Sequence, residues 1–325
     1  MSVPLSLIDF ATIFEGERPR DSFRRSVALA QKAEELGFKR IWYAEHHNMP
    51  NISSSSPAVL ISHIGARTST IRLGAGGVML PNHSPYVIAE QFGTLAELYP
   101  DRIDLGLGRA PGTDMNTLRA LRREPSAAEH FPQDVVELHS YLSGRSRIPG
   151  VQAIPGRDTN VPLYILGSSL FGAQLAAQLG LPYSFASHFA PTHLEQAVSV
   201  YRETYQPSAE HPEPYVIAAV NVTAADDRET AEEHFATVAR KRVRSMATRG
   251  RQITDEQLDA IMESASGHQI VDMLRYTAIG TGGDVKAFLE GFVRTAQADE
   301  LMISLQSPDQ ESTDRNLEIL AEAWL

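Results

Sequence analysis

Short runs of aliphatic and β-branched residues alternate along the chain with longer stretches whose apolar residues recur at helical spacing. That alternation constrains the fold more than any other feature, because strand–helix–strand units pair their strands in parallel and cover them with helices. The first expected strand is Val3 to Ile8. A helix follows from about Asp21, with Phe23, Val27, Ala30, Ala33 and Leu36 on one face and Gly37 as its stop. Further strands are expected at Ile41–Ala44, Ile71–Leu80, Ile103–Leu107, Leu163–Leu166, Tyr183–Ala186, Tyr215–Val222 and Glu300–Leu305. Ser56-Pro57 and Ser84-Pro85 each read as an N-cap followed by proline at the first helical position. Thr192-x-x-Glu195 reads as a capping box.

Eight strands in this alternation predict a closed (β/α)8 TIM barrel, one domain spanning 1–325. Such a barrel usually takes about 250 residues. The surplus is placed in two insertions, near 123–160 and near 249–282, the second inside the long connection from Val222 to Glu300. An open doubly wound sheet is the alternative, without a strand-order signal to support it.

The chain carries 29 Lys+Arg against 40 Asp+Glu, a formal net charge of −11. That balance argues against nucleic acid or an anionic membrane as partner. Cysteine is absent, which excludes disulfide scaffolds, thiolate metal sites and cysteine nucleophiles. No metal site is expected. The first residues lack the basic region of a signal peptide, and no apolar run approaches the ~18 residues of a membrane span. A soluble, cytoplasmic protein is therefore expected.

In such a barrel the chemistry sits at the carboxyl ends of the strands. After strand two comes Glu45-His46-His47. Adjacent residues point to opposite sides, so one imidazole faces the barrel mouth and its neighbour faces away. The pair can be packed or solvated imidazoles, or one of them a base titrating near neutrality. After strand three, Gly74-Ala-Gly76-Gly77 is either a bulge or a surface for close approach of a flat ligand. After strand four, Gly106-Leu-Gly108-Arg109-Ala-Pro111-Gly112 lacks the third glycine of a dinucleotide fingerprint. Arg109 there is a surface ion-pair member or a phosphate ligand. After strand five, Gly167-Ser168-Ser169-Leu-Phe-Gly172 runs straight into a helix. The serines are a plain cap or, with free helix N–H groups, an anion site, and Arg109 on the neighbouring strand can converge on it.

Absent motifs narrow the field. There is no P-loop, no His-x-His pair and no Gly-x-Ser-x-Gly elbow. The lysines (32, 39, 241, 286) lie on expected helices or just before a strand. What remains is a barrel with a phosphate-bearing cofactor and a neutral-range base.

Taken together, these stretches resemble the bacterial luciferase-like flavin monooxygenase family, in its single-chain branch. The resemblance is carried by Gly37 to His47, Leu73 to Pro81, Asp101 to Arg109, Gly167 to Ser169 and Ser187 to Pro191. It implies a TIM barrel with His46 catalytic and Gly76-Gly77 at a non-prolyl cis peptide beneath the flavin. It also implies Arg109, Ser168, Ser169 and Gly172 as ligands of the FMN phosphate. The implied activity uses reduced FMN and O2, through a flavin hydroperoxide, to oxidise a small organic substrate. A separate NAD(P)H-dependent flavin reductase would supply the reduced FMN, because no nicotinamide fingerprint is present. A homodimer joined through the helices after strands two and three is implied as well. Within the same resemblance stand two alternatives, hydride transfer with a deazaflavin and flavin binding without turnover. A flavin-independent barrel hydrolase is a third. Gly108 and Ser168 stand where light-emitting members carry a cysteine and a glutamate, which argues against light emission.

Overall fold

The computed structural model describes residues 2–110, 113–248 and 252–325. Pro111 and Gly112 of the strand-four motif, and residues 249–251 at the head of the second expected insertion, lie outside the described residues. The chain runs β1 (Leu5–Asp9), α1 (Pro19–Glu35), β2 (Arg40–Tyr43), α2 (Pro57–Gly65), β3 (Arg72–Met79), α3 (Pro85–Leu98) and β4 (Ile103–Gly108). It continues through α4 (Met115–Ala120), α5 (Phe131–Leu142), β5 (Leu163–Gly167), α6 (Leu170–Leu179), β6 (Tyr183–Phe185), α7 (Leu194–Thr204) and β7 (Val216–Ala224). Then follow α8 (Arg228–Thr248), α9 (Asp255–Met262), α10 (Ala265–Asp272), β8 (Thr277–Gly280), α11 (Gly282–Ala296), β9 (Glu300–Leu305) and α12 (Gln310–Trp324).

All the strand pairings in the sheet are parallel. Strands β1 to β7 pair in sequence, β7 pairs β9, and β9 pairs β1, which closes an eight-stranded barrel. The expected (β/α)8 architecture is the one observed. Its eighth barrel strand is β9, because β8 is an extra strand that the sequence reading placed within the second insertion. It pairs with Asn221–Ala224 of β7. At Asn221 and Val222 the opposite edge of β7 is already taken by β9, so β8 occupies the β6 edge beyond the end of that short strand.

One expectation is refined and another corrected. The stretch near 123–160, expected to hold a short helix and a Pro/Gly-rich segment, contains the longer α5, which packs against α3 on the barrel's outer wall. The Thr192–Glu195 capping box does not form: α7 is capped at His193, and no side chain bonds its first turn. By contrast, Ser56 and Ser84 stand at their N-cap positions before Pro57 and Pro85. The Thr254–Gln257 pair forms a capping box at the start of α9.

Strand periodicity sorts side chains between two cores. One set, including Leu7, Ile41, Leu73, Leu105, Ile165 and Val220, meets the helices in the outer core. The alternate set, Ile8, Trp42, Ala44, Tyr164, Ile217, Ala219 and Met302, fills the barrel interior. Close packing explains two of the glycines. A β-carbon on Gly76 would lie 2.7 Å from Ile8 Cδ1 and 2.9 Å from Trp42 Cβ, and one on Gly77 would lie 2.7 Å from the Gly106 carbonyl oxygen. The β3–β4 register shifts between Ala75 and Val78, and the Gly76–Gly77 peptide is cis. Both a bulge and the expected peptide geometry therefore occur at the same pair.

The amino end of the barrel is sealed by charge. Arg40 donates to Asp104 and to the Tyr164 hydroxyl, each at 2.7 Å, and its Nε lies 2.9 Å from Glu300. Lys39 and Tyr215 donate to Glu300 at 2.9 and 2.8 Å, while Arg72 and Trp42 donate to Asp104. Burial works against the Arg40 charge, but Asp104 and Glu300 more than offset it and raise its affinity for the proton. This network lies at the strand starts, the end of a barrel that serves stability rather than chemistry.

Candidate active site

At the opposite end the residues after β2 divide as their alternation demands. Ala44 faces the interior, so His46 does too. Its ring stacks on Phe10 with centroids 5.9 Å apart and planes 26° from parallel. Phe10 packs against the interior cluster and lies 6.2 Å from the His188 ring, which comes from the segment after β6. The His46 amide donates to the Ser54 carbonyl at 3.1 Å, which fixes the backbone of the turn.

Glu45 and His47 turn outward. The buried Glu45 carboxylate accepts from His47 Nε2 at 2.8 Å, His83 Nε2 at 2.7 Å and the Met79 amide at 3.0 Å. Burial opposes its charge, yet the hydrogen bonds from His47 and His83 outweigh burial and hold the carboxyl at about 2. Glu45 thus ties the end of β2 to the turn after β3 and sets the direction in which His46 points. Of the two imidazoles, His47 is the packed one.

Arg109 leaves the end of β4 exposed to solvent, with its guanidinium centred 4.0 Å over the Phe171 ring. Phe171 belongs to the first turn of α6, so this cation–π contact brings Arg109 to the Ser168–Ser169 turn. Arg109 has no carboxylate partner among the described residues. Ser169 is the N-cap of α6, but its side chain makes no capping hydrogen bond. Its carbonyl accepts from Tyr183 at 3.1 Å. Gly172 is buried in the same first turn against Tyr183 and Gly167. A helix start, two hydroxyls not used internally among the described residues, and a stacked guanidinium together make an anion-accepting corner.

The sequence reading missed the groups on the far side of the mouth. On β7, Asn221 and Thr223 continue the inward-facing series of Ile217 and Ala219. Asn221 donates to the His188 carbonyl at 2.7 Å. The α8 residue Arg242 lies near enough to His188 to oppose its protonation. A cavity of about 560 Å³ begins at the residue after His188, between Phe189, Pro191 and Thr192 on one side and His268, Gln269 and Asp272 of α10 on the other. Its size suits a small ligand. His188 was visible in the Ser187–Pro191 stretch but carried no role; Arg242 gave no signal in its Arg-Lys-Arg-Val-Arg helix.

Burial, with the Arg242 and His46 charges, lowers the His188 pKa to about 3 from the ordinary imidazole value of 6.5. The unfolded chain therefore binds a proton that the folded chain refuses. Stability from this group is full above about pH 6.5 and falls as the pH drops through the window down to about 3. Denaturant midpoints measured between pH 7.5 and 4.5 should decline for the wild type, and His188→Asn should flatten that decline. Parallel declines in both proteins would contradict the assignment.

Comparison with known proteins gives the family. The luciferase-like monooxygenase family profile matches residues 6–297. An Escherichia coli K12 luciferase-like monooxygenase is 43% identical over 321 residues, covering 98% of this chain and 96% of its own. The N-acetyl-S-alkylcysteine monooxygenase of Bacillus subtilis strain 168 is 33% identical over 341 residues, covering 99% and 98%. The solved structure of apo-MsnO8 superposes with a TM-score of 0.89 at 33% identity, covering 99% and 98%. Two more distant structures share the fold. One is the oxygenating constituent of 3,6-diketocamphane monooxygenase in complex with FMN (TM-score 0.74, 13% identity, covering 99% and 98%). The other is an F420-dependent secondary alcohol dehydrogenase (TM-score 0.72, 15% identity, covering 100% of each chain). The chain belongs to the luciferase-like monooxygenase family, a class of barrel oxidoreductases.

Proposed function

We propose that the protein is an FMN-dependent monooxygenase that binds reduced FMN and uses O2 to oxidise a small organic substrate. The observation that carries this reading is the anion-accepting corner of Arg109, Phe171 and the Ser168–Ser169 turn, together with the side-chain-free Gly76–Gly77 surface in the same barrel mouth. When bound, reduced FMN supplies the electrons and the site of reaction with O2. Arg109, the serine hydroxyls and the amides of the turn through Gly172 hold the phosphate. Gly76 and Gly77, packed on their Cβ side against Ile8, Trp42 and Gly106, would present bare backbone to a flat ring. His46 orients or transfers a proton at its ring nitrogen, and the walls formed by Phe189 and α10 limit water access. FMN in the 3,6-diketocamphane structure supports the choice of flavin.

Removing a charge-assisted hydrogen bond to phosphate costs roughly 1.5–3 kcal/mol. Arg109→Ala should therefore weaken FMN binding roughly 10- to 100-fold in a fluorescence-quenching titration. Undiminished affinity would remove Arg109 from the cofactor site. A separate reductase is proposed as the source of reduced FMN; NADH consumption by the purified chain with FMN alone would contradict that part. Val59 on α2 and Val87 on α3 are exposed apolar side chains on the helices proposed to form a homodimer contact, which sedimentation analysis would test. The F420-dependent neighbour favours a second reading, hydride transfer with a deazaflavin. Turnover without oxygen separates the two.

A further inference from the structure

Four buried polar atoms without a hydrogen-bond partner gather on one side of the barrel mouth: His188 Nδ1, Asn221 Oδ1, Thr223 Oγ1 and Arg242 Nε. A buried polar group left unpaired is unfavourable, so a cluster of them marks a place where a ligand completes the hydrogen bonding. Its electrical character is one-sided. The charged groups acting on His188 are Arg242 and His46, and no carboxylate acts on either His188 or Arg242. In a chain with a formal net charge of −11, a half-buried arginine with no acidic partner among the described residues is out of keeping with its surroundings. Most of the other arginines that the fold half-buries are paired, Arg25 with Glu17, Arg72 with Asp104 and Arg202 with Asp299 among them.

We propose that Arg242 binds the carboxylate of an organic acid substrate, with the Thr223 hydroxyl and a His188 Nδ1–H as the further donors; Asn221, whose free atom Oδ1 can only accept, holds the His188 backbone and does not bond the anion. The planar guanidinium fork matches a two-oxygen carboxylate. A cavity of about 560 Å³ begins at Phe189, next in sequence to His188; its lining joins Phe189, Pro191 and Met273, which can take a hydrocarbon portion, with His268 and Asp272 of α10. Arg242 stands on α8, which packs against β7, β8, α9 and α10, so its position depends on the second insertion. This site is separate from the anion corner at Arg109, which lies on β4 beside the β5–α6 turn. The assignment of the acid as substrate rests on the monooxygenase reading; the binding itself does not.

The test titrates sodium octanoate, sodium butanoate and sodium octanesulfonate into the full chain by calorimetry, with octan-1-ol as the neutral control. FMN affinity is measured on the same samples. The wild type should bind octanoate at one site, at least about tenfold more tightly than octan-1-ol. Arg242→Gln should lose roughly 10- to 100-fold in octanoate affinity while FMN affinity stays within about twofold, and Arg242→Lys should fall between. If the glutamine variant fails to fold, reduced acid-over-alcohol selectivity in the lysine variant carries the test. Octanesulfonate binding more tightly than octanoate would overturn the carboxylate assignment. Equal binding of acid and alcohol, no binding of octanoate, or an equal loss of FMN affinity on Arg242→Gln would overturn the site. Octanoate binding without FMN binding would leave Arg242 in place and remove the cofactor reading instead.

Discussion

Replacing His46 with alanine should lower turnover roughly 10²- to 10⁴-fold, the range that a positioned proton-transfer group contributes, while FMN affinity stays within about twofold. The separation follows from geometry. His46 shares the inward face of the barrel with Trp42 and Ala44 and stacks on Phe10, whereas the proposed phosphate ligands stand on β4 and the β5–α6 turn. His47 is the internal control. It lies one residue away but bonds to the outward-facing Glu45, so His47→Ala should cost far less in turnover. Comparable losses for the two variants would mean that the pair acts through packing of the turn and that His46 has no role of its own.

Arg40→Ala is expected to produce the largest loss of stability. Removing one member of a buried ion network leaves the others uncompensated and typically costs about 3–5 kcal/mol. Arg40 is the only member that meets Asp104, Glu300 and Tyr164 together. Arg72 still serves Asp104 and Lys39 still serves Glu300 after the change, which places the expectation near the lower end of that range. The thermal midpoint should drop by roughly 4–7 °C for a chain of this size, at about 2.1 cal/mol/K of unfolding entropy per residue. Arg40→Lys should recover only part of it, because an ammonium cannot reach three partners in the guanidinium plane. The residual folded protein should keep its FMN affinity, since the network lies at the amino end of the barrel. A midpoint change under 2 °C would show that the network adds little.

The barrel was legible because parallel strands buried on both faces leave continuous apolar runs. All eight barrel strands were found that way, from Val3–Ile8 to Glu300–Leu305. The four-residue β8 was not, because Thr277–Gly280 is too short to stand out and is followed by Thr281-Gly282-Gly283, which reads as loop. The helix-start signals at Ser56 and Ser84 work through the fixed proline geometry that follows them. Thr192–Glu195 has the same spacing as a real capping box but lies in the loop that turns toward the cavity, and His193 takes the cap.

Site residues were legible where strand alternation or local chain geometry decides their direction. His46 facing in and His47 facing out follows from the two-residue period alone. Arg109 and the Ser168–Ser169 turn were expected to converge because their strands are neighbours, and Phe171 is the side chain through which they meet. Arg242 was hidden because it reaches the mouth from an outer helix, where nothing in a basic heptad distinguishes an inward arginine from a solvated one. The charged seal did leave a trace: Arg40, Arg72, Asp104 and Glu300 are charges at or near the start of otherwise apolar strands.

The most direct test of the monooxygenase reading is to bind reduced FMN anaerobically, mix the complex rapidly with ¹⁸O2 in the presence of a substrate panel that includes octanoate, and analyse the organic products by mass spectrometry. The account predicts one ¹⁸O atom in the oxidised product, together with flavin oxidation that depends on enzyme and oxygen. Product formation in the absence of oxygen, or oxidised product free of ¹⁸O, would contradict it and point to hydride transfer instead.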